Sequence, residues 1–299
     1  MLSNREDIYQ IFGELGNELE ATVRALVIGG AALLEFDLKN ATKDIDVVCI
    51  SQEDRTNLLN CAVKIGFKLK VPEERHSRLV LERIAVKGVH TIDVFGGKIS
   101  NGFGLTPEMW NRGKIIKRFG PLELKYASLE DIFAMKIIAH RPGDLEDCAK
   151  LIVTGLDFDV IYSEVKSQYD HEVELSLKEW VTHLDEGIGE LENEFGVSVP
   201  IADMISALSH DYYNNWAPNK QTEMVKQVKE EMSHLSKGDL PQNMLRMYYQ
   251  LLRMHSLGKK AKVKKSKEDI LEEAIDSVKR EYSTFVPEFD PGFFNLAKR

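Results

Sequence analysis

The pattern of apolar and polar positions gives the two halves of the chain different characters. In the first half, helical stretches over 5–21 and 53–65 alternate with short apolar runs over 24–28 and 45–50. Apolar residues spaced three and four positions apart predict amphipathic helices, and short apolar runs that end at glycine or polar residues favour buried strands. This half is therefore predicted to mix helices with a sheet.

Two further stretches of the first half predict β-hairpins. Residues 78–95 and 114–126 each consist of two strand-like runs around a break, at Lys87–Gly88 and at Gly120–Pro121. Such breaks are typical of tight turns between paired strands. Between the hairpins, Thr106 and Pro107 indicate a helix start, because proline suits the first helical position.

From Ser128 onward the strand signals disappear. Ser128 and Asp131 resemble a capping box and predict a helix over 129–139, which the residues Arg141-Pro142-Gly143 interrupt. Further helices are predicted over 144–154, 157–168, 173–193, 200–213, 219–235, 241–255 and 266–282.

The predicted fold is therefore α+β, followed by an all-helical part. We expect a first domain over residues 1–155 and a helical domain over residues 156–299, with the boundary near Thr154–Asp157. The helical domain is the expected site of acceptor or partner binding.

Composition places the chain among ordinary globular proteins. Apolar residues make up 43% and charged residues 29%, which argues against wholesale disorder. No apolar run reaches the roughly 18 residues of a membrane span, and the start of the chain lacks the layout of a signal peptide. Three cysteines without CxxC spacing argue against a disulfide framework or a zinc site. We expect a cytoplasmic protein with no membrane partner.

The net charge of −9 is unevenly distributed. Residues 151–257 carry 8 basic and 18 acidic groups, whereas Lys259–Lys267 contains six lysines. Two interpretations of this lysine segment stay open, a solvated linker and a clamp on nucleic-acid phosphate. The linker is favoured, because the acidic helices before it would repel a phosphate backbone.

Three features of the first half carry candidate chemistry. Gly29-Gly30 follows the first strand, where glycines permit a sharp turn and the close approach of a phosphate. Asp44 and Asp46 start the second apolar strand, two residues apart, so both carboxylates project from one face. Their mutual repulsion favours a divalent cation with oxygen ligands. Asp93 is a lone acid within an apolar strand. Taken singly, each feature is also explained by a plain turn, a solvated face or an exposed strand position.

Together these features resemble the polymerase-beta-type nucleotidyltransferase superfamily, over roughly residues 20–155. In that superfamily an apolar strand ends in Gly-Gly or Gly-Ser, an acid-x-acid pair lies on the next strand, and a third acid lies on a later, adjacent strand. The stretch Ser128-Leu129-Glu130-Asp131, followed by Lys136, Arg141, Asp144 and Asp147, is also similar to minimal nucleotidyltransferases and abortive-infection nucleotidyltransferase toxins. The chain departs from their usual Lys-Asp in having Gly143-Asp144.

The resemblance implies a nucleotidyltransferase-like mixed sheet and a metal-dependent transferase. Asp44, Asp46 and Asp93 would be the catalytic, metal-binding acids for two Mg²⁺ or Mn²⁺ ions, and Asp93 would also accept the proton of the acceptor hydroxyl. The nucleotide, an NTP such as ATP, would contact five residues: Gly29, Gly30, Lys136, Arg141 and Asp144. Lys136 would reach the triphosphate, and Arg141 and Asp144 would shape the site.

The acceptor hydroxyl is left open between a protein, an RNA end and a small molecule. A protein or small molecule is slightly favoured, because the net charge of the helical part opposes binding of a long RNA. The alternative function is a non-catalytic antitoxin-like or partner-binding module on the same fold, with a toxin–antitoxin-type partner. A third interpretation is a structural α+β protein in which the acids are coincidental.

Overall fold

The computed structural model describes residues 2, 4–72, 79–100 and 102–215. The strands are β1 Val23–Ile28, β2 Asp44–Cys49, β3 Lys68–Lys70, β4 Ile84–Lys87, β5 His90–Gly96 and β6 Leu122–Tyr126. The helices are α1 Arg5–Glu18, α2 Gly29–Glu35, α3 Gln52–Lys64, α4 Pro107–Arg112, α5 Leu129–Ala139, α6 Asp144–Val153, α7 Phe158–His171 and α8 Trp180–Phe195, with a 3₁₀ turn at Leu175–Lys178. Residues 202–215 are also helical.

The six strands form one mixed sheet in the order β3-β4-β5-β2-β1-β6. Strands β1 and β2 run antiparallel, while β5 lies parallel to β2 and β6 lies parallel to β1. Strand β4 pairs antiparallel with both β5 and the edge strand β3. Helix α3 packs against β1, β2 and β5, and α2 packs against β1, β2 and α5. The predicted α+β class, with a mixed sheet flanked by helices, is confirmed.

Local sequence signals account well for the helix boundaries. Ser128 caps α5 by accepting a hydrogen bond from the amide of Asp131, and α5 ends at Ala139 as predicted. Thr106 caps α4, with Pro107 at its first position. The turn between α5 and α6 depends on two left-handed residues, His140 with φ 48° and Gly143 with φ 88°.

The predicted strands differ from the structure in two places. Residues 79–83 are not part of a strand, so the first hairpin is limited to β4 and β5. In the second, only 122–126 forms a strand, because residues 114 and 119 contact it through isolated bridges. The helix predicted over 173–193 is divided into a 3₁₀ turn and α8.

The first compact unit of the chain extends to Ser209, and the second begins at His210. The reason is that α7 and α8 bury their apolar faces in the same unit as the sheet. Trp180 on α8 is almost fully buried, and its ring lies 4.8 Å from the ring of Phe103. Glu164 on α7 pairs with Arg112 on α4. The first unit therefore includes helices that the sequence pattern assigned to the second domain.

Of the second unit, which starts at His210, the structure describes residues 210–215, and these are helical. The helices predicted over 219–235, 241–255 and 266–282, and the lysine segment Lys259–Lys267, lie outside the described residues. Within the described residues, no helix combines the length and the apolar character needed to cross a bilayer.

Candidate functional site

The predicted acids come together at the centre of the sheet. Asp46 on β2 is register-paired with Asp93 on the parallel strand β5. Paired residues of neighbouring strands project from the same face, and so do residues two apart on one strand. Asp44, Asp46 and Asp93 therefore share one face of the sheet. The spacing of Asp44 and Asp46 predicted their shared face, and the resemblance implied the position of Asp93 on an adjacent strand.

The three acids differ in how far they reach solvent. Asp93 is completely buried and Asp46 is buried, whereas Asp44 is half-buried. Asp44 and Asp46 line a cavity of about 340 Å³, and Asp93 does not belong to its lining. The cavity is also lined by Gly30, Lys39, Ala41, Thr42, Lys43, Lys136, Arg141, Pro142 and Asp144. The structure thus joins most of the predicted site residues around one space.

A side chain at either glycine of the Gly29-Gly30 pair would clash with a neighbouring residue, and the neighbour differs between the two. Ile28 at the end of β1 pairs with Asp46, which places Gly29 beside that aspartate. Gly29 has φ +62°, and a Cβ there would lie 2.3 Å from Asp46 Oδ2. A Cβ on Gly30 would lie 2.5 Å from Thr42 Oγ1. Gly30 lines the cavity, so it is the glycine with access to a ligand, whereas Gly29 makes room for Asp46.

A continuous chain of ion pairs joins Asp46 to the edge of the cavity. Arg141 Nη1 lies 3.4 Å from Asp46 Oδ1, and Arg141 Nε lies 3.3 Å from Asp144 Oδ2. Lys136 Nζ lies 2.6 Å from Asp144 Oδ1 and 2.9 Å from Asp147 Oδ2. Lys39 Nζ lies 2.5 Å from the same Asp147 oxygen. We call these six residues, in the order Asp46, Arg141, Asp144, Lys136, Asp147 and Lys39, the ion chain.

The turn between α5 and α6 explains how the ion chain assembles. Lys136 lies one turn before the end of α5. Asp144 and Asp147 lie three residues apart at the start of α6, so they share one helix face. The turn also brings the Arg141 amide within 2.9 Å of Asp144 Oδ2, to which it donates a hydrogen bond. By joining α5 to α6, this short turn brings two acidic and two basic side chains close together beside the sheet.

Neighbouring carboxylates raise the pKa values of Arg141 and Lys136. The carboxylate of Asp46 is the largest cause of the raised pKa of Arg141. Burial lowers the pKa of Lys136, but the carboxylates of Asp144 and Asp147 outweigh it, so this pKa is raised overall. Burial raises the pKa of Asp147, but the nearby Lys136 and Lys39 lower it by more, so this pKa is lowered overall. By formal charge, the ion chain holds three positive and three negative side chains.

The sequence carried no signal for Lys39 and no role for Lys43, and it marked Asp147 only as part of the segment after Lys136 that carries the resemblance. Lys39 and Lys43 line the cavity, and Asp147 joins the two lysines of the ion chain. A signal for Lys43 was its position directly before Asp44. Lys39 and Asp147 are 108 residues apart in sequence, so only the fold brings them into contact.

The oxygen donors fit a hard divalent cation such as Mg²⁺ or Mn²⁺. Asp46 Oδ2 is buried and makes no hydrogen bond to the described residues, while Asp44 lines the same cavity. Arg141 is the competing cation, since it pairs with the other Asp46 oxygen. Across the described ranges, no three histidine, cysteine or acidic side chains are already gathered as a metal-ligand cluster.

A second cavity, of about 380 Å³, lies beside α7 and is lined by residues such as Lys98, Thr106 and Gln168. It contains none of the predicted site residues. The smaller cavity is the better candidate, because it combines buried acids with fixed cations.

Fold and site together define an α+β protein with a mixed six-stranded sheet and a cavity lined by acids and cations. No protein-family model matches the chain, and no curated protein sequence matches it either. One solved structure that matches is the solution structure of the antibiotic-resistance factor ANT(2'')-Ia. It is 14% identical, and the match covers 56% of this chain and 96% of that chain with a TM-score of 0.32. At that identity and TM-score, no function is assigned to this chain from the match.

Proposed function

We propose that this protein is a metal-dependent nucleotidyltransferase that moves a nucleoside monophosphate from an NTP to an acceptor hydroxyl. The observation that carries the proposal is the carboxylate of Asp46. One of its oxygens is buried without a hydrogen bond to the described residues, in a cavity that Asp44, Lys39 and Lys43 also line. Acids beside fixed cations suit a substrate that combines a divalent cation with phosphates.

In the proposed reaction, the oxygen of the acceptor hydroxyl forms a bond to the α-phosphorus. The bond between that phosphorus and the oxygen bridging it to the β-phosphorus breaks. Pyrophosphate leaves with that electron pair, and the hydroxyl proton passes to water in the cavity. Asp93 is completely buried outside the cavity lining, so as the register partner of Asp46 it would position that carboxylate from the neighbouring strand. Asp44 and Asp46 would hold Mg²⁺ or Mn²⁺, which neutralises phosphate charge and lowers the pKa of the acceptor hydroxyl when bound. Lys39, Lys43 and Arg141 bind and orient the phosphates.

The proposed roles of Lys136 and Asp144 are indirect. Lys136 has a side chain only 4% exposed and already donates to two carboxylates. It therefore positions Asp144 and Asp147 rather than gripping the triphosphate by itself. Asp144 in turn holds Arg141 by its side chain and its backbone.

The proposed acceptor is a protein or small-molecule hydroxyl in preference to an RNA end. Residues 151–257 carry a net charge of −10, from 8 basic and 18 acidic groups. Such a charge opposes the approach of a polyanion.

The test uses the full chain with each α-³²P-labelled NTP, Mg²⁺ or Mn²⁺, and a cell extract fractionated into protein, RNA and small molecules. We expect label on the protein or small-molecule fraction, and its loss in Asp46→Asn and Asp93→Asn. The matched control is Asp170→Asn, since Asp170 is an exposed acid on α7 whose partner is Lys166. Wild-type transfer that survives Asp46→Asn would overturn the proposal.

One observation favours the second candidate, a non-catalytic antitoxin-like or partner-binding module. Arg141 pairs with Asp46, and Asp93 is completely buried, as in a site that is permanently closed. This function predicts no binding of NTP or Mn²⁺ by the purified chain, together with a stable complex with a toxin–antitoxin-type partner. NTP binding that requires Mn²⁺ would exclude it.

A further inference from the structure

The charge balance of the ion chain depends on Asp46. Lys39, Lys136 and Arg141 supply three positive charges, and Asp144, Asp147 and Asp46 supply three negative ones. Without the carboxylate of Asp46, the remaining five residues carry a net charge of +1. Unbalanced buried charge is costly, so the pairing of Arg141 with Asp46 holds the chain in its resting state.

A cation on Asp46 would compete with Arg141 for the same carboxylate. The Arg141 side chain is 16% exposed and the Asp46 side chain 2% exposed, so two cations have little room and little solvent to screen them. A divalent ion held by Asp44 and Asp46 would repel the guanidinium. Released from Asp46, Arg141 keeps its bond to Asp144 and contributes the excess positive charge to the cavity.

The excess positive charge has a defined position. Lys39 is the most exposed member of the ion chain, at 32% of its side chain, and it lines the cavity. Lys43, which is exposed, lies in the same wall. Asp147 is the positioning residue for Lys39, because its Oδ2 accepts from both Lys39 and Lys136. Four cationic side chains, those of Lys39, Lys43, Lys136 and Arg141, line this cavity. Such a set suits a polyphosphate, which carries several negative charges along its length.

We propose that the ion chain makes cation binding and polyphosphate binding depend on each other, with the Asp46–Arg141 pair as the latch. A divalent cation binds more tightly when a polyphosphate takes up the charge of Arg141, Lys39 and Lys43, and a polyphosphate binds more tightly when a cation releases Arg141. This inference rests on the proposed function, since it assigns the cavity to the phosphates of a nucleotide. It adds that the protein binds either ligand alone more weakly than it binds the two together.

The test is equilibrium dialysis of the full chain with ⁵⁴Mn²⁺ and ³²P-labelled inorganic tripolyphosphate, separately and together, at matched free concentrations. For the wild type we expect each ligand to raise the affinity for the other about tenfold or more. In Asp46→Asn the cation loses its ligand and Arg141 is already released. Tripolyphosphate is then expected to bind without Mn²⁺.

Two further variants complete the design. In Arg141→Gln the latch is absent, so Mn²⁺ is expected to bind without tripolyphosphate. In Lys39→Gln the dependence on Mn²⁺ should persist, with weaker tripolyphosphate binding. Lys150→Gln is the matched control, because Lys150 is an exposed lysine on α6 paired with Glu146. Its binding should equal that of the wild type.

The inference is overturned if the wild type binds either ligand equally well alone, or if Asp46→Asn still requires Mn²⁺ for tripolyphosphate. Both readouts are binding measurements, so they separate this inference from the proposed function. Coupled binding without transfer of labelled nucleotide would reject the transferase and keep the latch. Transfer with independent binding would reject the latch and keep the transferase.

Discussion

Gly29 at the start of α2 lies directly against Asp46 on β2, and a Cβ at position 29 would lie 2.3 Å from Asp46 Oδ2. The contact follows from the antiparallel pairing of Ile28 with Asp46. It means that the glycine after the first strand and the second acid of the acid-x-acid pair form one packing unit. The steric requirement is that position 29 has no side chain, because a Cβ there would displace the carboxylate of Asp46.

Gly29→Ala is expected to destabilise the protein by two additive effects. The left-handed backbone at φ +62° costs an alanine roughly 1–2 kcal/mol, and the displaced carboxylate costs about 1–3 kcal/mol more. Gly196→Ala is the matched control, because Gly196 has φ +64° and open space around its Cβ. Urea unfolding of both variants should show the larger loss for Gly29→Ala. Equal losses would contradict the contact with Asp46.

Lys136→Met is expected to lower the free energy of unfolding by about 3–5 kcal/mol, because it leaves two buried carboxylates without their shared cation. Those carboxylates belong to Asp144 and Asp147. The control is Lys150→Met, which breaks an exposed i,i+4 pair with Glu146 and should change stability by about 0.5 kcal/mol or less. Denaturant unfolding measures both values, and similar small losses would contradict a buried ion chain.

The pH dependence of stability should show the contribution of Asp147. Although burial raises the pKa of Asp147, Lys136 and Lys39 lower it overall from an ordinary value of 3.8. A lowered folded-state pKa gives stability that is fully present above the unfolded pKa and is lost as pH falls through the folded one. The stability difference between wild type and Asp147→Asn should therefore shrink below about pH 4. Unfolding curves between pH 3 and 7 check this, and a constant difference would contradict it.

The variant Arg112→Met tests whether helix α7 unfolds together with the rest of the first unit. Arg112 donates to both oxygens of Asp131 on α5, and its Nη2 lies 2.5 Å from Glu164 Oε2 on α7. We expect a loss of about 2–3 kcal/mol, below that of a fully buried pair because the guanidinium is about a quarter exposed.

The same loss of unfolding free energy is expected whether the spectroscopic probe reports on the sheet or on the helices, because α7 belongs to the first unit. Arg118→Met, at an exposed position, is the control and should stay within about 0.5 kcal/mol of wild type. Separate transitions for sheet and helices would instead support a boundary near residue 155.

The sequence by itself determined the local elements and the identity of the acids. Helix α5 could be predicted to its last residue, because its cap and its terminating Arg-Pro-Gly turn are local signals. The shared face of Asp44 and Asp46 could be predicted as well, since the period of a strand is two. These features depend on residues within a few positions of each other.

Tertiary structure alone decided the register of Asp93 beside Asp46, the contact of Lys39 with Asp147 and the membership of α7 and α8 in the first unit. Each of these joins residues far apart in sequence, so no local pattern encodes it. The sequence also predicted Lys136 as a residue that reaches the triphosphate, whereas the fold surrounds it with Asp144 and Asp147. The physical reason is that a charged side chain's role is set by the charges packed around it, and packing exists only in the folded chain.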